Sequence, residues 1–149
     1  MKTLADAGVA AELVARIGSV QPETPRRWGP MSPGEMLCHV ADAFEVALGD
    51  RPPSRVKAPG PAWLIKGFAL WLPVPWMKNV PTGRNVDPRR DGTRPGDFTA
   101  DRDRAVRLLC RLAAEAKPGP HPIFGTMTSR DWLRWGFLHT DHHLRQFGL

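Results

Sequence analysis

Apolar residues recur at helical spacing in four stretches of the chain: Leu13, Val14 and Ile17; Met36, Leu37, Val40, Phe44 and Ala47; Val106, Leu109, Leu112 and Ala113; and Leu133, Phe137 and Leu144. Positions three and four apart share one face of a helix, so each stretch predicts an amphipathic helix with one buried stripe. Three of the four begin with a Ser/Thr-x-x-acid pattern, in which side chains and backbone N–H groups satisfy one another: Thr3 to Asp6, Ser32 to Glu35 and Thr128 to Asp131. Pro33 follows Ser32 at the first helical position, where a missing N–H costs nothing, and Gly49 is the expected stop. The remaining helix is expected to open at Thr99, with Asp101 and Asp103 in its first turn, and to end at Lys117-Pro118-Gly119. No stretch alternates as a strand would. The pattern predicts an all-α four-helix bundle.

Between the second and third of these helices, Arg51 to Asp97 contains Pro52, Pro53, Pro59, Pro61, Pro73, Pro75, Pro81, Pro88 and Pro95, too many for one regular element. It reads as a long crossover. Trp63, Leu64, Phe68, Trp71 and Leu72 keep a helical spacing within it and predict a short helix over Ala62 to Trp71. The most apolar run, Gly67 to Met77, is broken by Pro73 and Pro75, whereas a spanning helix needs about 20 apolar residues. It is expected to be a buried or interface segment, with Trp63, Trp71 and Trp76 covering the open side of the bundle, its dimer face or a pocket mouth.

The 149 residues suit one domain, residues 1–149, and 42% hydrophobic content supplies a core. Cys38 and Cys110 are too few and too far apart for a disulfide framework or a cysteine-based zinc site. With no export signal in Met1 to Gly18, the expected location is the cytoplasm. The formal net charge of +6 raises the question of nucleic acid, but the arginines are dispersed and no recognition-helix motif stands out.

The chemistry concentrates in the histidines, at positions 39, 121, 139, 142 and 143. His139 and His143 are four apart, about 40° in helical projection, and can share a ligand. His143 falls toward the apolar arc of Leu133, Phe137 and Leu144, and His142 toward the charged arc of Arg134, Asp141 and Arg145. A buried metal would therefore take His139 and His143, leaving His142 at the rim as a substrate contact. A third ligand must come from another helix, and His39 lies on the border of the Met36, Val40, Ala43 and Ala47 face. Three imidazoles suit zinc, nickel or another late divalent ion, and a fourth position left open makes a catalytic geometry. No Glu follows His139, so the zinc-peptidase pattern is not met.

The blocks Trp28-Gly29-Pro30-Met31-Ser32-Pro33-Gly34-Glu35-Met36-Leu37-Cys38-His39, His121-Pro122-Ile123-Phe124-Gly125, Trp132, and His139-Thr140-Asp141-His142-His143-Leu144-Arg145-Gln146-Phe147-Gly148 resemble an uncharacterised branch of the DinB/YfiT-like superfamily. The resemblance covers Trp28 to Asp50 and His121 to Leu149, and the middle only in its apolar, proline-rich character. It implies a four-helix bundle with a long crossover, commonly a homodimer, and a metal on His39, His139 and His143. It also implies kinship with thiol-dependent enzymes, among them a mycothiol-dependent isomerase and bacillithiol S-transferases.

These observations lead to an expected metal-dependent enzyme, foremost a thiol-dependent S-transferase, in which the ion activates a thiol or water; hydrolysis and isomerisation are the other chemistries considered. Glu35 and His142 are the candidate acid-base groups, with Asp42 a further partner for His39 or a base. Arg84, Arg89, Arg90 and Arg94 form a loop patch expected to meet an anionic thiol cofactor or acidic substrate. Cys38 points about 100° away from His39 and reads as a core residue. Trp132, two turns before His139, either lines the metal pocket or packs the core. The alternative is a non-catalytic metal-binding or protein-interaction module. Neither a membrane nor nucleic acid is an expected partner.

Overall fold

The structure is a computed structural model that describes residues 1–54 and 60–149. Five α-helices appear among them: α1 (Ala7–Gly18), α2 (Pro33–Leu48), α3 (Ala62–Trp71), α4 (Phe98–Glu115) and α5 (Ser129–Gln146). α1, α2, α4 and α5 form the bundle, with α4 packed on the other three and α5 also carrying α3. The crossover joins α2 to α4; it holds α3 and one turn of 3-10 helix at Arg84–Val86, while Pro59 lies outside the described residues. No helix among the described residues is long and apolar enough to cross a membrane.

Local chemistry accounts for the helix ends. Ser32 and Glu35 form the expected reciprocal cap of α2, Pro33 takes the first position, and Gly49 closes the helix at φ 85°, a left-handed conformation that favours glycine. Thr128 and Asp131 cap α5 in the same way. The other two starts shift. α1 opens at Asp6, whose carboxylate accepts from the Gly8 and Val9 amides, while Thr3 Oγ1 accepts only from Ala5, so the Thr3 box does not form. α4 opens at Asp97, which accepts from Ala100 N, and Thr99 is already helical. In each case a carboxylate replaces the hydroxyl as the group facing the positive helix end.

Leu13 and Ile17, Met36, Leu37 and Phe44, Leu109 and Leu112, and Trp132 and Leu144 are buried where the four helices meet. Gly136 lets α5 approach closely, since a Cβ there would meet Leu4 Cδ1 at 2.6 Å and Leu112 Cδ2 at 3.1 Å.

The expectation of no strand is corrected. β1 (Gly119–His121) pairs antiparallel with β2 (Gly125–Met127), Pro120 opposite Thr126, where α4 was expected simply to end. Three-residue strands are too short to show alternation. The hairpin is held from its turn and its face: His121 Nδ1 accepts from the Ile123 and Phe124 amides, and its ring stacks on Phe124 at 4.4 Å. Burial drives the His121 pKa down to about 3. The folded state thus holds a neutral ring while the unfolded chain takes up a proton below about pH 6.5. His121 therefore costs no stability above that pH and draws on it progressively as the pH falls toward 3. In urea titrations between pH 6 and 4, wild type is expected to lose stability faster than His121→Asn, which keeps an acceptor for the turn, by up to about 1.4 kcal/mol per pH unit. Parallel slopes would remove His121 from the acid limb.

Candidate metal centre

His39 on α2 and His139 and His143 on α5 meet inside the bundle, one ring nitrogen from each lying within 4.8 Å of the other two. His39 Nε2 and His139 Nε2 are 3.2 Å apart, and the rings of His39 and His139 each sit 4.7 Å from that of His143. Two nitrogens on one tetrahedral zinc at about 2.05 Å would be about 3.3 Å apart, so the first pair already has the separation of a coordination edge.

The surroundings fix which nitrogen faces inward. His39 Nδ1 lies 2.7 Å from Val86 O, and a carbonyl only accepts, so Nδ1 carries the proton and Nε2 presents a lone pair. His143 Nδ1 donates to Gln146 Oε1 at 3.1 Å, with the same consequence. The His139 ring stacks on Trp135 at 4.6 Å and 16°, and its buried Nδ1 has no partner among the described residues. Burial, followed for His139 and His143 by repulsion from neighbouring histidines, holds the pKa values of all three below the usual imidazole value. At neutral pH three uncharged donors therefore converge in a buried place with too few protons to satisfy one another. A divalent cation fits that donor set, and the supporting hydrogen bonds are of the kind that orient metal-binding histidines.

Gly29 makes room for this arrangement. It sits at φ 77°, and a Cβ there would strike the Gln146 side chain. Gly29→Ala and Gln146→Leu are each expected to weaken metal binding about 10- to 100-fold through the loss of the His143 partner; unchanged affinity in a competition titration would show that Gln146 does not orient the ring.

The other expected site residues are differently placed. His142 is half-buried between Trp28, at 4.7 Å, and Trp76, at 5.9 Å, and lines an open cleft of about 640 Å³ beside the histidines. The Glu35 carboxylate caps α2 and accepts from Arg89 Nε at 3.0 Å, which holds its pKa below the usual carboxylate value; that engagement leaves it poorly suited to take a proton. Arg84 pairs with Asp91, Arg89 with Glu35 and Arg90 with Asp87, while Arg94, the fourth arginine of the expected patch, is exposed and makes no ion pair among the described residues. Asp42 is fully buried and engaged by Arg51, Arg104 and Thr93 rather than by His39. Cys38 is buried, which pushes its thiol up to about 12 and makes it inert.

A family model of the DinB superfamily matches residues 8–147. The chain belongs to the DinB superfamily. No curated protein and no solved structure matches it. In this DinB-superfamily chain the match runs through both ends of the bundle and the crossover between them, so it includes all three converging histidines and the Val86 turn. Sequence reasoning assigned no role to Trp135, Gln146, Gly29 or Val86, although Gly29 and Gln146 stand in the blocks that carry the family resemblance. Trp135 stands four residues before His139 and Gln146 three after His143, spacings that place each beside its partner; Val86 contributes only a backbone carbonyl, which leaves no sequence signal.

Proposed function

We propose that this DinB-superfamily protein is a metal-dependent enzyme in which His39, His139 and His143 hold a divalent cation, zinc or nickel by donor type, and that it acts foremost as a thiol-dependent transferase. The observation that carries the reading is the convergence of three neutral imidazoles, two of them held in the ligating tautomer, beside an open cleft. When bound, such an ion lowers the pKa of a thiol or water at its open position and so supplies a nucleophile at neutral pH.

This chain's own residues do the rest. Val86 O and Gln146 Oε1 hold two of the rings in the ligating tautomer. Trp135 and Trp76 flank His139, at 4.6 and 6.4 Å, and keep bulk water from the donors. His142 stands between cleft and centre, its ring 5.3 Å from that of His143, where it can exchange a proton with a group arriving from the cleft.

Cobalt-loaded, tag-free protein titrated with 2-mercaptoethanol tests the reading. A sulfur-to-cobalt charge-transfer band, present in wild type and in His142→Ala and absent in His143→Ala, supports thiol activation. Metal uptake without such a band favours water as the nucleophile, and hydrolysis. Absence of metal uptake after reconstitution with zinc and nickel overturns the enzyme reading.

A further inference from the structure

The cleft beside the histidines has an unbalanced lining. Arg27, Lys78, Arg134 and Arg145 border it with Asp141 as the acidic side chain, and Asp141 is already engaged by Arg16 at 2.8 Å and Arg145 at 3.8 Å. Arg27, Lys78 and Arg134 have no carboxylate partner among the described residues. The last turn of α5 offers only about half a negative charge through its dipole, too little to neutralise three cations.

Arg134 is the informative one. Its helical projection groups it with the charged residues of α5, yet it is 6% exposed, covered by the backbone of Lys2 and of α3. Nε donates to Leu70 O at 2.8 Å and Nη1 to Lys2 O at 2.6 Å, both neutral acceptors, and the guanidinium lies 5.6 Å from the Phe137 ring. Burying a charge without a counter-charge is costly. An arginine fixed by two neutral carbonyls and lining a cleft is arranged for an anion supplied from outside. Arg27 is also held: its amide donates to Gln146 O at 2.7 Å, and its guanidinium lies across Gly148, at φ 81°, where a Cβ would displace it.

The rest of the lining is apolar. Trp28 and Trp76 both lie against His142, at 4.7 and 5.9 Å, and Leu72, Val74 and Leu138 continue the lining. Lys78 Nζ lies 5.6 Å from the Trp28 ring centre, which keeps a cation beside an aromatic surface. The volume, about 640 Å³, is that of a small-molecule pocket.

We propose that this cleft binds a small organic acid, its carboxylate attracted by the uncompensated charges of Arg134, Lys78 and Arg27 and its aromatic or apolar body lying toward Trp28, Trp76 and His142. As the substrate class of the proposed enzyme this rests on the metal-centre reading; as a binding site it does not. Three of the four loop arginines expected to receive an anion are paired with Asp91, Glu35 and Asp87, whereas Arg27, Lys78 and Arg134 of the cleft have no carboxylate partner among the described residues.

Calorimetric titration of chelator-treated, metal-free protein with 4-phenylbutyrate and with its neutral amide tests the assignment. The acid is expected to bind, the amide at least about tenfold more weakly, and Lys78→Met and Arg27→Met each to weaken the acid several-fold to tenfold. Arg84→Met removes the same charge away from the cleft and is expected to leave affinity unchanged. Arg134→Met should have the largest effect; if it does not fold, the two surface variants carry the test. Equal binding of acid and amide, no binding of the acid, or equal weakening by Arg84→Met would overturn the assignment. So would binding that appears only after zinc is added and is lost in His143→Ala, because the carboxylate would then be on the histidines. Protein that binds the acid but takes up no metal keeps the cleft and refutes the enzyme reading, so the two fail separately.

Discussion

Alanine at His139 is expected to abolish the stabilisation that a divalent cation gives the wild-type protein. An ion bound only by the folded state, at a free concentration a hundred times its Kd, adds about 2.7 kcal/mol. For a domain of this size that is a rise in Tm of roughly 5–10 °C. His139 Nε2 is already 3.2 Å from that of His39 and its ring 4.7 Å from that of His143, and its removal leaves only two imidazoles at the centre. Two imidazoles are too few for the three-ligand sites that zinc favours. In thermal melts with and without zinc, wild type and His142→Ala should shift, and His139→Ala, His39→Ala and His143→Ala should not. A zinc shift that persists in His139→Ala would place the ion elsewhere.

The triad was legible because its spacing is local. His139 and His143 share a helical face by arithmetic alone, and His39 sits on the border of a helix whose cap, Ser32 with Glu35, can be read within four residues. The starts of α1 and α4 moved because two capping residues lie within three positions of each other, and the chain uses the carboxylate that reaches the first-turn amides. The hairpin was not legible: its three-residue strands carry no periodicity, and His121 holds it from the side. Arg134 shows a different limit. A projection treats one helix at a time and cannot anticipate that the backbone of Lys2 and Leu70 covers the arc it marks as charged. Trp63, expected at the open side of the bundle, its dimer face or a pocket mouth, stands 72% exposed on the single chain. Val86 was hidden because the group that matters is a carbonyl on a turn 47 residues away from His39.

Asp42, fully buried, reaches that turn through Arg51, and Asp42→Ala is expected to be the most destabilising substitution among those considered, at about 3–5 kcal/mol. Asp42 accepts from Thr93 N at 2.7 Å, Thr93 Oγ1 at 2.8 Å, Arg104 Nη2 at 2.8 Å and Arg51 Nη2 at 3.0 Å, which ties α2 to α4 and to the crossover. Asp42 and Glu45 together balance the two guanidiniums. Without Asp42 one carboxylate faces two partly buried cations, and the Thr93 amide loses its acceptor. Against a total stability of about 5–15 kcal/mol, that loss is large enough to unfold a marginal domain. The two arginines separate stability from function. Each loses an ion pair with Asp42 and Glu45 when replaced by Met, so both variants should destabilise. Only Arg51 also donates, from Nη1, to Asn85 O at 3.0 Å, next to the Val86 carbonyl that holds the His39 tautomer. Arg51→Met should therefore weaken zinc binding about tenfold or more, while Arg104→Met, equally destabilised in urea, keeps wild-type affinity. Equal affinities in the two variants would mean that the Val86 turn is held without Arg51, and that the network stabilises the bundle without reaching the histidines.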